Sequence, residues 1–306
     1  MEATLSDSTE GTLDTVDGLR SALLAQDYVA DSGLATVILL ARGLQKPVLL
    51  EGEVGAGKTD LARALTAALG TRLIRLQCYE GLDATHALYE WNYPRQLLHI
   101  RASESAGRDA QEIERSIFTE EYLIKRPLLD AISTPAPKPP VLLIDEVDRA
   151  DEPFEAFLLE VLSEFQITIP ELGTITAVHR PLILLTSNRT REIHSALRRR
   201  CLYSWLGYPT LERELEILRL KLPTVPASLA EELCRFVLHL RSLDLDKPPG
   251  IAETIDWAAA LLYLGKDSLD AIGVMDSLGV VLKSRDDLAR FDGEVVESAL
   301  RQVRRR

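Results

Sequence analysis

The chain has 306 residues, 46% apolar and 27% charged, a globular profile long enough to bury a large core without staples. Its net charge of −12 argues against a protein whose main business is coating nucleic acid, because counterion release at phosphates needs a basic face. Cys78, Cys201 and Cys234 lie far apart and the five histidines show no ligand spacing, so zinc is not expected and a reducing, cytoplasmic setting is.

Residues 1–18 are polar and acidic, show no secretory signal, and are expected to form a disordered leader. Leu19, Leu23 and Leu24, then Leu34, Val37, Ile38 and Ala41, recur at helical spacing. Residues 47–50 read as a short buried strand ending at Glu51-Gly52. Leu61, Leu65, Ala68 and Leu69 share one face of the next helix, with Gly70 where a C-terminal cap belongs. Residues 72–77 read as a strand. Residues 79–132 are less regular, and 101–116 carry no periodic apolar face. The proline-rich stretch 133–140 reads as a stiff connector.

Residues 141–144 form a buried strand that runs into two acids, and 154–165 an amphipathic helix. Residues 165–177 alternate around Glu171-Leu172-Gly173 as a β-hairpin does. Further strands are expected at 182–186 and 202–206, then helices at about 211–220, 230–240 and 254–264, with two or three more behind them. Strands alternating with helices imply a parallel sheet covered on both faces. The expected architecture is an α/β sandwich of about five strands over residues 19–207 and a small helical domain over 208–306. The longest apolar runs, 34–41 and 257–264, fall short of the ~18 residues that span a bilayer, so no membrane partner is expected.

Gly52-Glu53-Val54-Gly55-Ala56-Gly57-Lys58-Thr59 satisfies G-x-x-x-x-G-K-[ST], with a buried strand before it and an amphipathic helix after it. The glycines let main-chain N–H groups converge on phosphate oxygens, and the helix N-terminus adds a positive dipole end. Lys58 can reach the β- and γ-phosphates, and the Thr59 hydroxyl can ligate Mg²⁺. Asp145 and Glu146 end a buried strand, where ligands bind in such sheets. Asp145 suits Mg²⁺, and Glu146 suits the activation of a water for in-line attack on ATP. Asn188 follows another strand, where its amide could reach that water or the γ-phosphate. Three adjacent arginines, Arg198, Arg199 and Arg200, cost repulsion and point to an anionic partner, such as transition-state charge in a neighbouring subunit.

In this order the motifs resemble those of AAA+ ATPases, over about residues 19–270. The resemblance implies a P-loop αβα sandwich with a helical lid, and makes Asn188 the first sensor residue. Arg200, or else Arg199, becomes the arginine finger, and residues 166–177 a pre-sensor hairpin. It also implies a homohexameric ring that remodels a client. Asp145-Glu-Val-Asp-Arg-Ala150 resembles the MoxR subgroup. Residues 75–83, 90–96 and 250–257 resemble its CoxD branch, which is associated with maturation of carbon monoxide dehydrogenase-type molybdenum hydroxylases and with partners bearing a von Willebrand factor A domain. One departure stands out: many relatives carry a lid arginine where Thr254 falls here. Two other classes remain open, a small-molecule kinase and a nucleic-acid motor. The hairpin carries Glu171 and no Lys or Arg, which disfavours the second.

Overall fold

The computed structural model describes residues 11–134 and 138–305. Helices α1 (Val16–Leu24) and α2 (Ser32–Leu44) lead into β1 (Val48–Gly52), α3 (Lys58–Leu69) and β2 (Leu73–Gln77). A small excursion follows: α4 (Ala84–Leu88), β3 (Tyr89–Trp91), α5 (Tyr93–Ser105), α6 (Ala110–Ile117), β4 (Leu123–Lys125) and α7 (Pro127–Ile132). Then come β5 (Val141–Asp145), α8 (Glu152–Glu164), the hairpin β6 (Gln166–Ile169) and β7 (Gly173–Thr176), β8 (Leu182–Ser187), α9 (Ser195–Arg200) and β9 (Leu202–Leu206). The rest is helical: α10 (Leu211–Lys221), α11 (Ala227–Ser242), α12 (Ile251–Tyr263), α13 (Ala271–Val281), α14 (Arg285–Ala289) and α15 (Gly293–Arg305). No helix among the described residues is long and apolar enough to cross a membrane.

Five strands form one sheet in the order β2-β5-β8-β1-β9, every neighbour parallel. The inner strands β1, β5 and β8 are buried almost throughout because both their faces are covered, whereas the edge strands β2 and β9 alternate. Leu49, Ile74, Leu142 and Ile183 point into one layer with Leu128 of α7 and Leu158 of α8. Val48, Leu50, Leu143 and Leu184 point into the other, with Leu19, Ile38, Leu61 and Leu65 of α1, α2 and α3. A separate core, centred on Phe236 and Trp257, holds the C-terminal helices together. The order carries β1, β5 and β8 side by side, so the loops at their C-terminal ends share one crevice.

Two expectations are corrected. The leader is ordered from residue 11: Gly11–Asp14 form a 3-10 turn, Leu13 is buried, and its carbonyl accepts 2.6 Å from Arg42 Nη1. One apolar anchor and one guanidinium are enough to hold a polar segment; residues 1–10 lie outside the described residues. The stretch 101–116 is largely helical rather than irregular. Asn92 and Asp109 cap α5 and α6 by accepting from Arg95 N and Gln111 N. Gln96 Nε2 donates to Ile117 O (2.7 Å) and His99 pairs with Ser116 (2.9 Å), so polar contacts replace an apolar stripe. Of the connector at 133–140, residues 135–137 lie outside the described residues.

Candidate functional site

The phosphate loop turns between β1 and α3. Gly55 and Gly57 adopt φ of +75° and +85°, which side chains disfavour. Gly52 is required by closeness instead: a Cβ there would stand 2.0 Å from Leu206 O on β9. Lys58 opens α3, is buried, and donates from Nζ to Gly52 O (2.7 Å) and Glu53 O (2.8 Å). Burial lowers its ammonium below the usual range, against the pull of Asp148, Glu53, Asp145 and Glu146.

Both acids stand opposite the loop. Asp145 is 4% exposed, and its carboxylate oxygens lie 3.3 and 3.4 Å from Thr59 Oγ1. Arg75 on β2 donates to Asp145 Oδ2 from Nη2 (2.6 Å) and Nε (3.0 Å), and Thr186 Oγ1 donates to Oδ1 (2.5 Å). Glu146 sits at φ +55°, a left-handed conformation that turns the chain sharply out of the strand. Its Oε2 accepts 3.0 Å bonds from Gln77 Nε2 and Arg149 Nη1. Asn188 leaves β8 beside them.

A cavity of about 310 Å³ is lined by Val54–Thr59, Asp145, Glu146, Thr186 and Asn188, and closed from the helical region by Ile251, Ala252 and Ile255. A second, of about 460 Å³, shares Ala56, Gly57, Asp60, Ile251 and Ile255 with it and adds Tyr28, Val29 and Asp31. Arg213 of α10 ties that edge down, reaching Asp31 Oδ2 and Val29 O at 2.9 Å each. The helical region also touches the loop itself: Ile251 N donates to Gly55 O at 3.0 Å, with Gly250 packed against Gly55.

The structure thus gathers Lys58, Thr59, Asp145, Glu146 and Asn188 around one space, with Gly52 and Glu53 holding Lys58. It does not bring Arg199 or Arg200 there. Both are exposed at the end of α9; Arg200 Nη1 donates to Leu159 O (3.0 Å), and the Arg199 side chain has no hydrogen bond or ion pair among the described residues. Arg198 instead pairs with buried Glu51 of β1 (3.1 Å). Thr254 turns from the cavity and donates to Glu214 Oε1 (2.7 Å), so Lys58 is the only cation lining the phosphate cavity among the described residues. Sequence reasoning gave no role to Arg75, Gln77, Asp148, Arg149 or Thr186. Arg75 and Gln77 carried a readable signal, since residues two apart on a strand share a face and their strand pairs with β5.

The donor set fits magnesium and a nucleotide. Thr59 and Asp145 offer hard oxygens a few ångströms apart, and no group of three or more His, Cys, Asp or Glu among the described residues forms a closed cage. An ion that keeps waters and phosphate oxygens as ligands suits such a site.

A parallel sheet with a phosphate loop after β1 and two acids at the end of β5, one strand away across β8, defines a P-loop nucleotide hydrolase. The chain matches the model of the AAA domain, dynein-related subfamily, over residues 47–201, just over half its length, and belongs to that family; it is an ATPase. It is similar to a RuvB variant of Thermotoga maritima at 20% identity, covering 88% of this chain and 75% of that one, TM-score 0.49. The Thermotoga maritima RuvB Holliday junction branch migration motor aligns at 19%, covering 88% and 73%, TM-score 0.44. A proposed ATPase from Cytophaga hutchinsonii aligns at 16%, covering 97% and 96%, TM-score 0.47.

Proposed function

We propose that the chain is a magnesium-dependent, ring-forming ATPase of the MoxR type that remodels a client enzyme. The reading is carried by the one cavity on which the phosphate loop, both strand-end acids and Asn188 converge. Lys58 exchanges its two loop carbonyls for phosphate oxygens. Thr59 and Asp145 supply oxygens for magnesium, which when bound screens phosphate charge. Glu146, steadied by Gln77 and Arg149, takes a proton from the attacking water as its oxygen bonds to the γ-phosphorus and the bond to the β–γ bridging oxygen breaks. Asn188 hydrogen-bonds the γ-phosphate. Arg200, or Arg199 beside it, completes the site of a neighbouring copy; the exposure of both and their absence from the lining of their own cavity support this.

The client reading rests on the stretches 75–83, 90–96 and 250–257 that resemble the CoxD branch. It favours maturation of a molybdenum hydroxylase, with a von Willebrand factor A domain partner, a cytoplasmic setting and a homohexamer. The test is phosphate release across protein concentration for wild type, Glu146→Gln, Arg199→Ala and Arg200→Ala. Specific activity rising with concentration, and one arginine variant poisoning wild type when mixed in, is expected. Flat activity per subunit with both arginine variants normal overturns the shared site.

A further inference from the structure

We propose that Asp148 is a positioning residue for Asn188, fixing the loop after β8 so that the asparagine stands at the phosphate cavity. The inference rests on the role given to Asn188 above and extends it to a residue that does not line the cavity. Asp148 is 2% exposed and forms no salt bridge among the described residues. Lys58 attracts it without touching it, and a buried carboxylate with no cation in contact is costly unless hydrogen bonds hold it. Here three donors do so, all on Oδ2: Thr190 Oγ1 at 2.7 Å, Thr190 N at 2.8 Å and Asn188 N at 3.2 Å. The other oxygen, Oδ1, is buried with no hydrogen-bond partner. A core built for stability alone has no reason to keep such a group.

The held segment is itself strained. Arg189, between the two residues that Asp148 grips, lies at φ +58°, and its N–H donates to Ser187 Oγ at 3.0 Å. A non-glycine residue persists there only where its surroundings fix it. Asp148 also shares its 3-10 turn, Val147–Arg149, with the arginine that holds Glu146. One turn therefore grips both the asparagine loop and the acid that handles water.

Because a single oxygen takes all three donors, an amide oxygen can replace it, whereas a methyl cannot. The experiment compares steady-state ATP hydrolysis and fluorescent-ADP binding in Asp148→Asn, Asp148→Ala, Asn188→Ala and the double alanine variant. Asp148→Ala is expected to lower kcat about tenfold with KM and ADP affinity within about twofold, and Asp148→Asn to stay within about threefold of wild type. The double variant is expected to be no slower than Asn188→Ala, as residues acting through one another are not additive. Multiplying losses, or Asp148→Asn falling as far as Asp148→Ala, overturn the proposal. Wild-type turnover in Asn188→Ala overturns the role of Asn188 itself, a distinct result. Should Asp148→Ala not fold, Thr190→Val removes one donor: a kcat loss of about threefold that disappears in the Asn188→Ala background supports the link, and an undiminished loss there overturns it.

Discussion

Gly250→Ala tests how the helical region is joined to the phosphate loop. Gly250 has φ −83° and ψ −175°, which alanine adopts freely, so no backbone strain enters. The penalty comes from closeness alone. A Cβ there would lie 2.8 Å from Gly55 Cα and 3.0 Å from Val54 O, against an ordinary contact of at least 3.4 Å. The two main chains must part by about 0.6 Å, which stretches the 3.0 Å bond from Ile251 N to Gly55 O past hydrogen-bonding range. Losing that bond costs about 0.5–1.5 kcal/mol and the backbone shift about 1–3 kcal/mol, so about 1.5–4.5 kcal/mol leaves the joint. Because Ile251, Ala252 and Ile255 close the nucleotide cavity, ADP affinity should fall at least about tenfold, where 1.4 kcal/mol is a factor of ten. Titration of a fluorescent ADP measures this, with Gly279→Ala on α13 as control. Nothing lies within 4 Å of a Cβ at Gly279, so the control should bind ADP normally and gain stability of about 0.5–1 kcal/mol. Wild-type affinity in Gly250→Ala would refute the reasoning.

The buried pair Glu214–Arg241, with sides 1% and 5% exposed and contacts of 2.5 and 2.7 Å, also binds Thr254. Glu214→Ala leaves the guanidinium uncompensated and should cost about 3–5 kcal/mol in denaturant unfolding; a loss below about 1 kcal/mol would contradict the assignment. Burial pushes the thiols of Cys78, Cys201 and Cys234 up to about 12, so at pH 8 each is almost wholly protonated and a poor nucleophile. Disulfide-exchange labelling at pH 8 should be slow for all three in the folded chain and fast after unfolding. Rapid reaction of any one under native conditions would count against its burial.

β1, β5 and β8 were legible because each carries a short apolar run stopped by polar residues, β5 extending its run by one residue to Asp145, and the edge strand β9 falls on residues 202–206 as expected. The phosphate loop was legible because its chemistry dictates its spelling. Helices α5 and α6 were not, since α5 buries only Gln96 and Ser103 and α6 only Ile113, and hydrophobic periodicity has nothing to read there. Their caps, Asn92 and Asp109, were the available signal. What sequence order hid most was the cross-strand reach of side chains. Gln77 and Glu146 are 69 positions apart yet share a 3.0 Å bond, and which of two neighbouring acids receives Arg75 depends on register. Asp148 was hidden for the same reason, because its partners lie 40 and 42 positions away.

The ion pair between Glu51 and Arg198 has a consequence for coupling. Glu51 is the residue before the phosphate loop, and Arg198 the residue before Arg199 and Arg200. Glu51 is 3% exposed, so the joint is shielded from solvent and salt on its acidic side. Any displacement of Glu51 on phosphate binding would be passed through this pair to the end of α9. The nucleotide held in one copy would then set the angle at which its exposed guanidiniums meet whatever stands next to them.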